Sequence, residues 1–79
     1  MDLRLRTIQP GDSWQVFAGG RDQIAHVLAG QAWIAVGDAA YRLRRDSVIV
    51  LTGDDRALVT AVVATRVLDV ASAEVVGRP

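Results

Sequence analysis

His26 is the only histidine in the sequence, and there is no cysteine. Metal binding or acid–base chemistry at an imidazole would have to run through this one ring. Its surroundings, "QIAHVLAG" at 23–30, offer no second ligand, and the nearest carboxylates, Asp22 and Asp38, sit in turn-forming stretches. One imidazole without partners cannot hold a divalent ion, so His26 reads as a structural or surface residue. Nucleophilic catalysis needs a nucleophile, a base and a group to orient the base. Three serines share the one histidine, and Ser47, following Asp46 at a strand start, reads as a turn-supporting hydroxyl. Asp54 and Asp55 are the only adjacent carboxylates, but they lie in a solvated "TGDDR" turn with Arg56 beside them. "AGGRD" at 18–22 has two glycines without a following helix, which is not enough for a phosphate cradle.

The elements that must position these residues are short strands. "LRLRTI" alternates Leu3 and Leu5 with Arg4 and Arg6, and "YRLR" alternates Tyr41 and Leu43 with Arg42 and Arg44, the period of a half-buried strand. "SVIVL", "ALVTAVV" and "TRVLDV" are rich in β-branched residues and too short for most helices. Turn signals stand between them: "PGD" at 10–12, "AGGRD" at 18–22, "GD" at 37–38 and "TGDD" at 52–55. The spacing predicts strands near 2–8, 13–17, 23–29, 31–37, 40–44, 47–51, 56–63 and 65–70. "DVASAEVV" is compatible with one helical turn, and the tail at 71–79 with a frayed end. The expectation is a single all-β domain spanning 1–79: a small barrel or sandwich of about eight short antiparallel strands.

Composition narrows the function classes. Apolar residues make up 51% of the 79-residue chain but aromatics only 5%, so the core must be built from small aliphatic side chains. Such a core has little surplus stability, and without cysteines neither disulfides nor a thiolate cage can add to it. Association with a second copy is the remaining device. Net charge is zero and every basic residue is arginine. The tightest cluster, Arg42, Arg44 and Arg45, has Asp46 beside it and reads as a solvated strand edge. Neither a nucleic acid nor a membrane partner is expected from this balance. No segment reaches the roughly 20 apolar residues of a membrane span, and no apolar run has signal-peptide length, so the expected location is the cytoplasm.

Between 23 and 70 the order of the pieces resembles the later part of a cupin barrel: "HVLAG", "AWIAVGD", "YRLRRDS", "VIVLTGD" and "VTAVVATRVLDV". "GQAWI" at 30–34 is also similar to a G-x-x-W stretch of small bacterial cupin-like proteins of unknown function. The resemblance implies a double-stranded β-sandwich and allows a test for the cupin metal site. With Gly30 as the first anchor, the glutamate place falls on Gln23 and the paired histidine places among Val16, Phe17, Ala18 and Gly19. With Gly53 as the second, the third histidine place falls on Arg56; Arg45 stands where the family often has glycine, and Leu51 where it often has proline. None of these is a normal ligand for a divalent ion, so no cofactor is expected. His26, three residues from Gln23, points to the opposite face of a regular strand.

In the register of that resemblance, Ala32, Ile34, Val36, Tyr41, Leu43, Val48, Val50 and Leu58 face the interior. The opposite parity, led by Trp33, Ile49, Leu51, Val59 and Val67, is then also apolar, where a solvated sheet would be polar. This second face is expected to be a homodimer interface anchored by Trp33, unless Trp33 packs under "DSWQVF" of its own chain. Gln23, Tyr41 and Arg56 are expected to line the barrel mouth, with Arg56 anchoring a carboxylate or phosphate of a small anionic ligand. The function implied is a non-enzymatic binding or oligomerisation module. The alternative is a metal-independent isomerase or lyase using His26, Tyr41 and Asp46.

Overall fold

The computed structural model describes residues 2–71. The tail expected to fray lies outside them beyond residue 71. Eight strands form: β1 (Asp2–Ile8), β2 (Ser13–Phe17), β3 (Gln23–Ala29), β4 (Gln31–Val36), β5 (Ala39–Arg44), β6 (Val48–Leu51), β7 (Arg56–Ala61) and β8 (Thr65–Ala71). All pairings are antiparallel. They build two four-stranded sheets, sheet I in the order β1-β8-β3-β6 and sheet II in the order β2-β7-β4-β5. Only β4 and β5 are consecutive strands of one sheet; elsewhere the chain crosses between sheets and closes a double-layered barrel. No helix occurs among the described residues, and so none that is long and apolar enough to cross a membrane.

The sharpest crossing is made by one residue. Gly30 alone joins β3 to β4, at φ +98, and a Cβ placed there would lie 2.7 Å from the Cα of Thr65. Only glycine combines that dihedral with so close an approach. Thr65 is fully buried beneath it, and its hydroxyl lies 2.9 Å from the Gln31 carbonyl oxygen and 2.8 Å from that of Val63. Its single proton is thus satisfied by either carbonyl, as a buried hydroxyl requires.

Between the sheets lies an aliphatic core that includes Ile8, Val16, Val27, Ile34, Leu51, Val59 and Val67. The largest fully buried side chains are valines and Thr65, with no aromatic among them. Each such valine contributes about 1.5–3 kcal/mol by burial. Trp14 is half-buried and packs against this core from β2.

The inward parity departs from expectation on several strands. Ala32, Ile34, Val36 and Leu43 face inward as expected, but Val48, Val50 and Leu58 are exposed. Their neighbours Leu51 and Val59, and Val67 on β8, are core residues at 3%, 0% and 0% exposure, and Ile49 packs on the core. Four of the five residues expected at an interface therefore point inward, because a strand with apolar residues at both parities does not declare its buried side. On β1 the inversion is complete. Ile8 is buried opposite Thr65, and period two then turns Arg6 and Arg4 inward and Leu5 and Leu3 outward.

Candidate functional site

The inward arginines of β1 meet at the end of the barrel where β1 and β3 begin and β2 and β8 finish. Asp69 of β8 stands opposite Arg4 and beside Ala25 of β3, so its side chain shares their inward face. It is 6% exposed, a buried carboxylate that needs partners. The Nε of Arg6 donates to its Oδ2 at 3.1 Å, and the Nε2 of Gln23 donates to its Oδ1. On the other side, the Arg6 guanidinium lies 4.7 Å from the centroid of the Trp14 ring, a stacked cation–π contact. One arginine is thereby held between a carboxylate and an indole, with most of its five N–H donors still uncommitted.

These residues enclose a cleft of about 220 Å³ lined by Arg4, Arg6, Trp14, Gln15, Val16, Phe17, Gln23 and Asp69. Among the described side chains, two guanidinium groups against one carboxylate leave it with a net positive charge. Arg4 carries that excess: among the described residues no carboxylate forms an ion pair with it.

Of the three residues expected at the mouth, Gln23 alone lines this cleft. Arg56 pairs with Phe17, and both stand on the outer face of sheet II because Val16 and Ala57 take the inward places. Its guanidinium lies 4.7 Å from the Phe17 ring centroid, beside a shallow depression lined by Gln15, Ala35 and Leu58. Tyr41 pairs with inward-facing Ile34 but is 58% exposed on β5, the edge strand of sheet II, and does not reach the cleft. No sequence motif marks Arg4, Arg6, Trp14 or Asp69. Two signals were available: Arg4 and Arg6 share parity with Ile8, and Asp69 shares parity with Val67.

The residues present do not fit a cupin metal site. Gln23, in the glutamate place, offers an amide whose N–H already donates to Asp69, and Arg56, in the third histidine place, faces away from the barrel. Of the paired histidine places, Val16 and Ala18 are buried apolar residues. Among the described residues Asp69 is the one carboxylate lining the cleft, and both its oxygens are engaged. Among the described residues no three histidine, cysteine or carboxylate side chains are grouped to hold an ion.

The outer faces of the sheets differ in kind. On sheet I the register sets two rungs of side chains across all four strands: Leu3, Val70, Ile24 and Val50, then Leu5, Leu68, His26 and Val48. Seven of these eight are aliphatic. His26 is the exception, its Nε2 3.6 Å from Oδ1 of Asp46 at the sheet edge. Sheet II mixes Ser13, Gln15, Arg42, Arg44 and Thr60 with exposed Phe17, Leu58 and Trp33, and the Trp33 ring lies 5.2 Å from the Arg42 guanidinium.

No family model matches this sequence, and no curated protein does. Solved structures match it closely in three dimensions. A cupin superfamily protein from Desulfitobacterium hafniense superposes with a TM-score of 0.82 at 16% identity, over 91% of this chain and 66% of that one. A conserved protein of unknown function from Streptococcus pyogenes gives 0.81 at 20% identity, over 92% and 64%. This chain thus spans a little under two thirds of either. A designed double-stranded β-helix matches over 91% of this chain and its own full length, with a TM-score of 0.76 at 14% identity. At such identities the likeness is one of fold, and the fold of this chain is that of the cupins, an eight-stranded double-stranded β-helix.

Proposed function

We propose that this chain is a non-catalytic cupin-fold interaction module that works as a homodimer, joined through the outer face of sheet I. The observation that carries the reading is the pair of aliphatic rungs across β1, β8, β3 and β6. Leu3, Leu5, Val48 and Val50 are each more than half exposed on a sheet face that would be polar if it met water. A second copy suits this face because the rungs hold no arginine or carboxylate, so a two-fold axis would set no like charges against each other. The thin aliphatic core supports the same reading, since more apolar burial would add stability that valines alone do not supply.

The catalytic alternative has less behind it. His26 and Asp46 do come together, but on the outer side of sheet I, and the cleft at the mouth is lined by neither of them nor by Tyr41.

Native mass spectrometry and sedimentation at micromolar concentration test the proposal. The expected species has twice the 8.5 kDa chain mass. Val50→Asp places a charge within the proposed interface while leaving the core untouched, since Val50 is 59% exposed within its own barrel. It should raise the dissociation constant by about 100-fold, the effect of roughly 3 kcal/mol for desolvated, unpaired carboxylates. A monomeric wild-type protein at these concentrations would overturn the reading.

A further inference from the structure

We propose that the cleft at the barrel mouth is a binding site for a small organic monocarboxylate, held by Arg4 and Arg6. This rests on the inner face of β1 and is independent of the dimer, which uses the outer one.

Two inward guanidinium groups two residues apart on one strand repel each other unless an anion lies between or beside them. Asp69 supplies one negative charge, and it is fully committed: one oxygen to Arg6, the other to Gln23. Its bond to Arg6 uses Nε alone, so the terminal nitrogens of that guanidinium remain as donors into the cleft. The Trp14 ring and the Asp69 carboxylate fix the plane of the guanidinium, so little side-chain freedom remains to be lost on binding. Arg4, on the same inward face and opposite Asp69, contributes the unbalanced charge. A carboxylate bridging the two arginines would bring the cleft to neutrality.

Charge and size together set the ligand class. A phosphate dianion would overshoot the single excess charge and face the Asp69 carboxylate across a narrow space. The cleft's 220 Å³ falls below the roughly 300 Å³ at which drug-sized pockets begin, so the body of the ligand must be small. Val16 and the ring of Trp14 give it a partly apolar wall. A compact, flat acid such as pyruvate or benzoate meets all of these conditions.

The test is a titration of the isotope-labelled protein with sodium pyruvate, sodium benzoate and sodium phosphate, followed by two-dimensional NMR at constant ionic strength. Expected are saturable shifts at the Trp14 indole and the β1 amides with at least one of the two carboxylates, and weaker binding of phosphate. Arg4→Gln should weaken that carboxylate about tenfold, as expected for removing a charge-assisted contact, while Arg56→Gln leaves it unchanged. Arg4 is exposed, so its variant keeps the fold, and the unperturbed spectrum of the core checks this. No saturable shift with either carboxylate up to tens of millimolar overturns the proposal. So does tighter binding of phosphate, or binding indifferent to Arg4→Gln.

Discussion

Sheets I and II are built from the same number of strands and share one core, yet they turn opposite surfaces outward. Sheet II turns a mixed surface outward, with Gln15, Arg42, Arg56 and hydroxyls interleaved with Phe17, Trp33 and Leu58. Sheet I departs further from a sheet facing water, and on both faces. Its outside is aliphatic across four strands, and its inside carries Arg4, Arg6, Gln23 and Asp69 at one end. A fold needs only one apolar face per sheet. The second one, together with the polar cluster it displaces to the interior, is therefore where function is to be sought.

The largest effect should come from crossing that inside–outside boundary. Val67 and Val50 lie on strands of the same sheet, but Val67 is fully buried and Val50 is 59% exposed. Val67→Asp buries a carboxylate with no partner and should cost about 4 kcal/mol or more, enough to unfold a small domain. Val50→Asp, the same chemical change one parity away, should leave the cooperative thermal transition in place. Equal damage at both sites in circular-dichroism melts would mean that the two faces of sheet I are misassigned.

A second variant tests the joint between the sheets. Gly30→Ala forces a Cβ toward the backbone of Ala64 and Thr65 at a positive φ. The steric clash and the dihedral strain together should cost about 3 kcal/mol. Urea unfolding would measure this as a lower midpoint with an unchanged slope. A loss below about 1 kcal/mol would show that the crossing from β3 to β4 is softer than its contacts imply.

Asp69→Asn is the next step down and concerns the polar interior of sheet I. The change keeps the shape but removes the charge facing Arg6, whose side chain is 35% exposed and so partly screened by water. The expected loss is about 1–2 kcal/mol, less than for a fully buried pair. Raised salt should narrow the gap between variant and wild type in parallel melts. A variant as stable as the wild type would make the cluster a ligand-facing device with no structural share.

Strand number and boundaries were legible because turns are local: "PGD", "AGGRD" and "TGDD" mark breaks by chemistry that owes nothing to the rest of the fold. Facing was not. "VIVL" and "ALVTAVV" carry apolar residues at both parities, and the choice between Val50 and Leu51, or Leu58 and Val59, is made by what lies across the barrel. "LRLRTI" was misleading for a different reason. Its alternation is clean, but the residue that decides its face is Ile8, paired with Thr65 at the closed end. The candidate site was hidden by the same effect. Gln23 was found from its distance to Gly30, whereas Arg4, Arg6 and Asp69 become a site only when β1 and β8 pair.

Trp33 provides the smallest and most discriminating effect. It is the one residue expected at an interface that does face solvent, at 45% exposure, but it belongs to sheet II, in a row with Arg42 and Thr60. Its ring carries the Arg42 guanidinium at 5.2 Å, an exposed cation–π contact worth about 0.5–1 kcal/mol. Trp33→Ala should therefore lower stability by about that amount and leave the dimer fraction unchanged in sedimentation. In a double-mutant cycle with Arg42→Ala, most of the loss should appear as coupling between the two. If Trp33→Ala dissociates the dimer while Val50→Asp does not, the docking face is sheet II, and the aliphatic rungs of sheet I need another occupant.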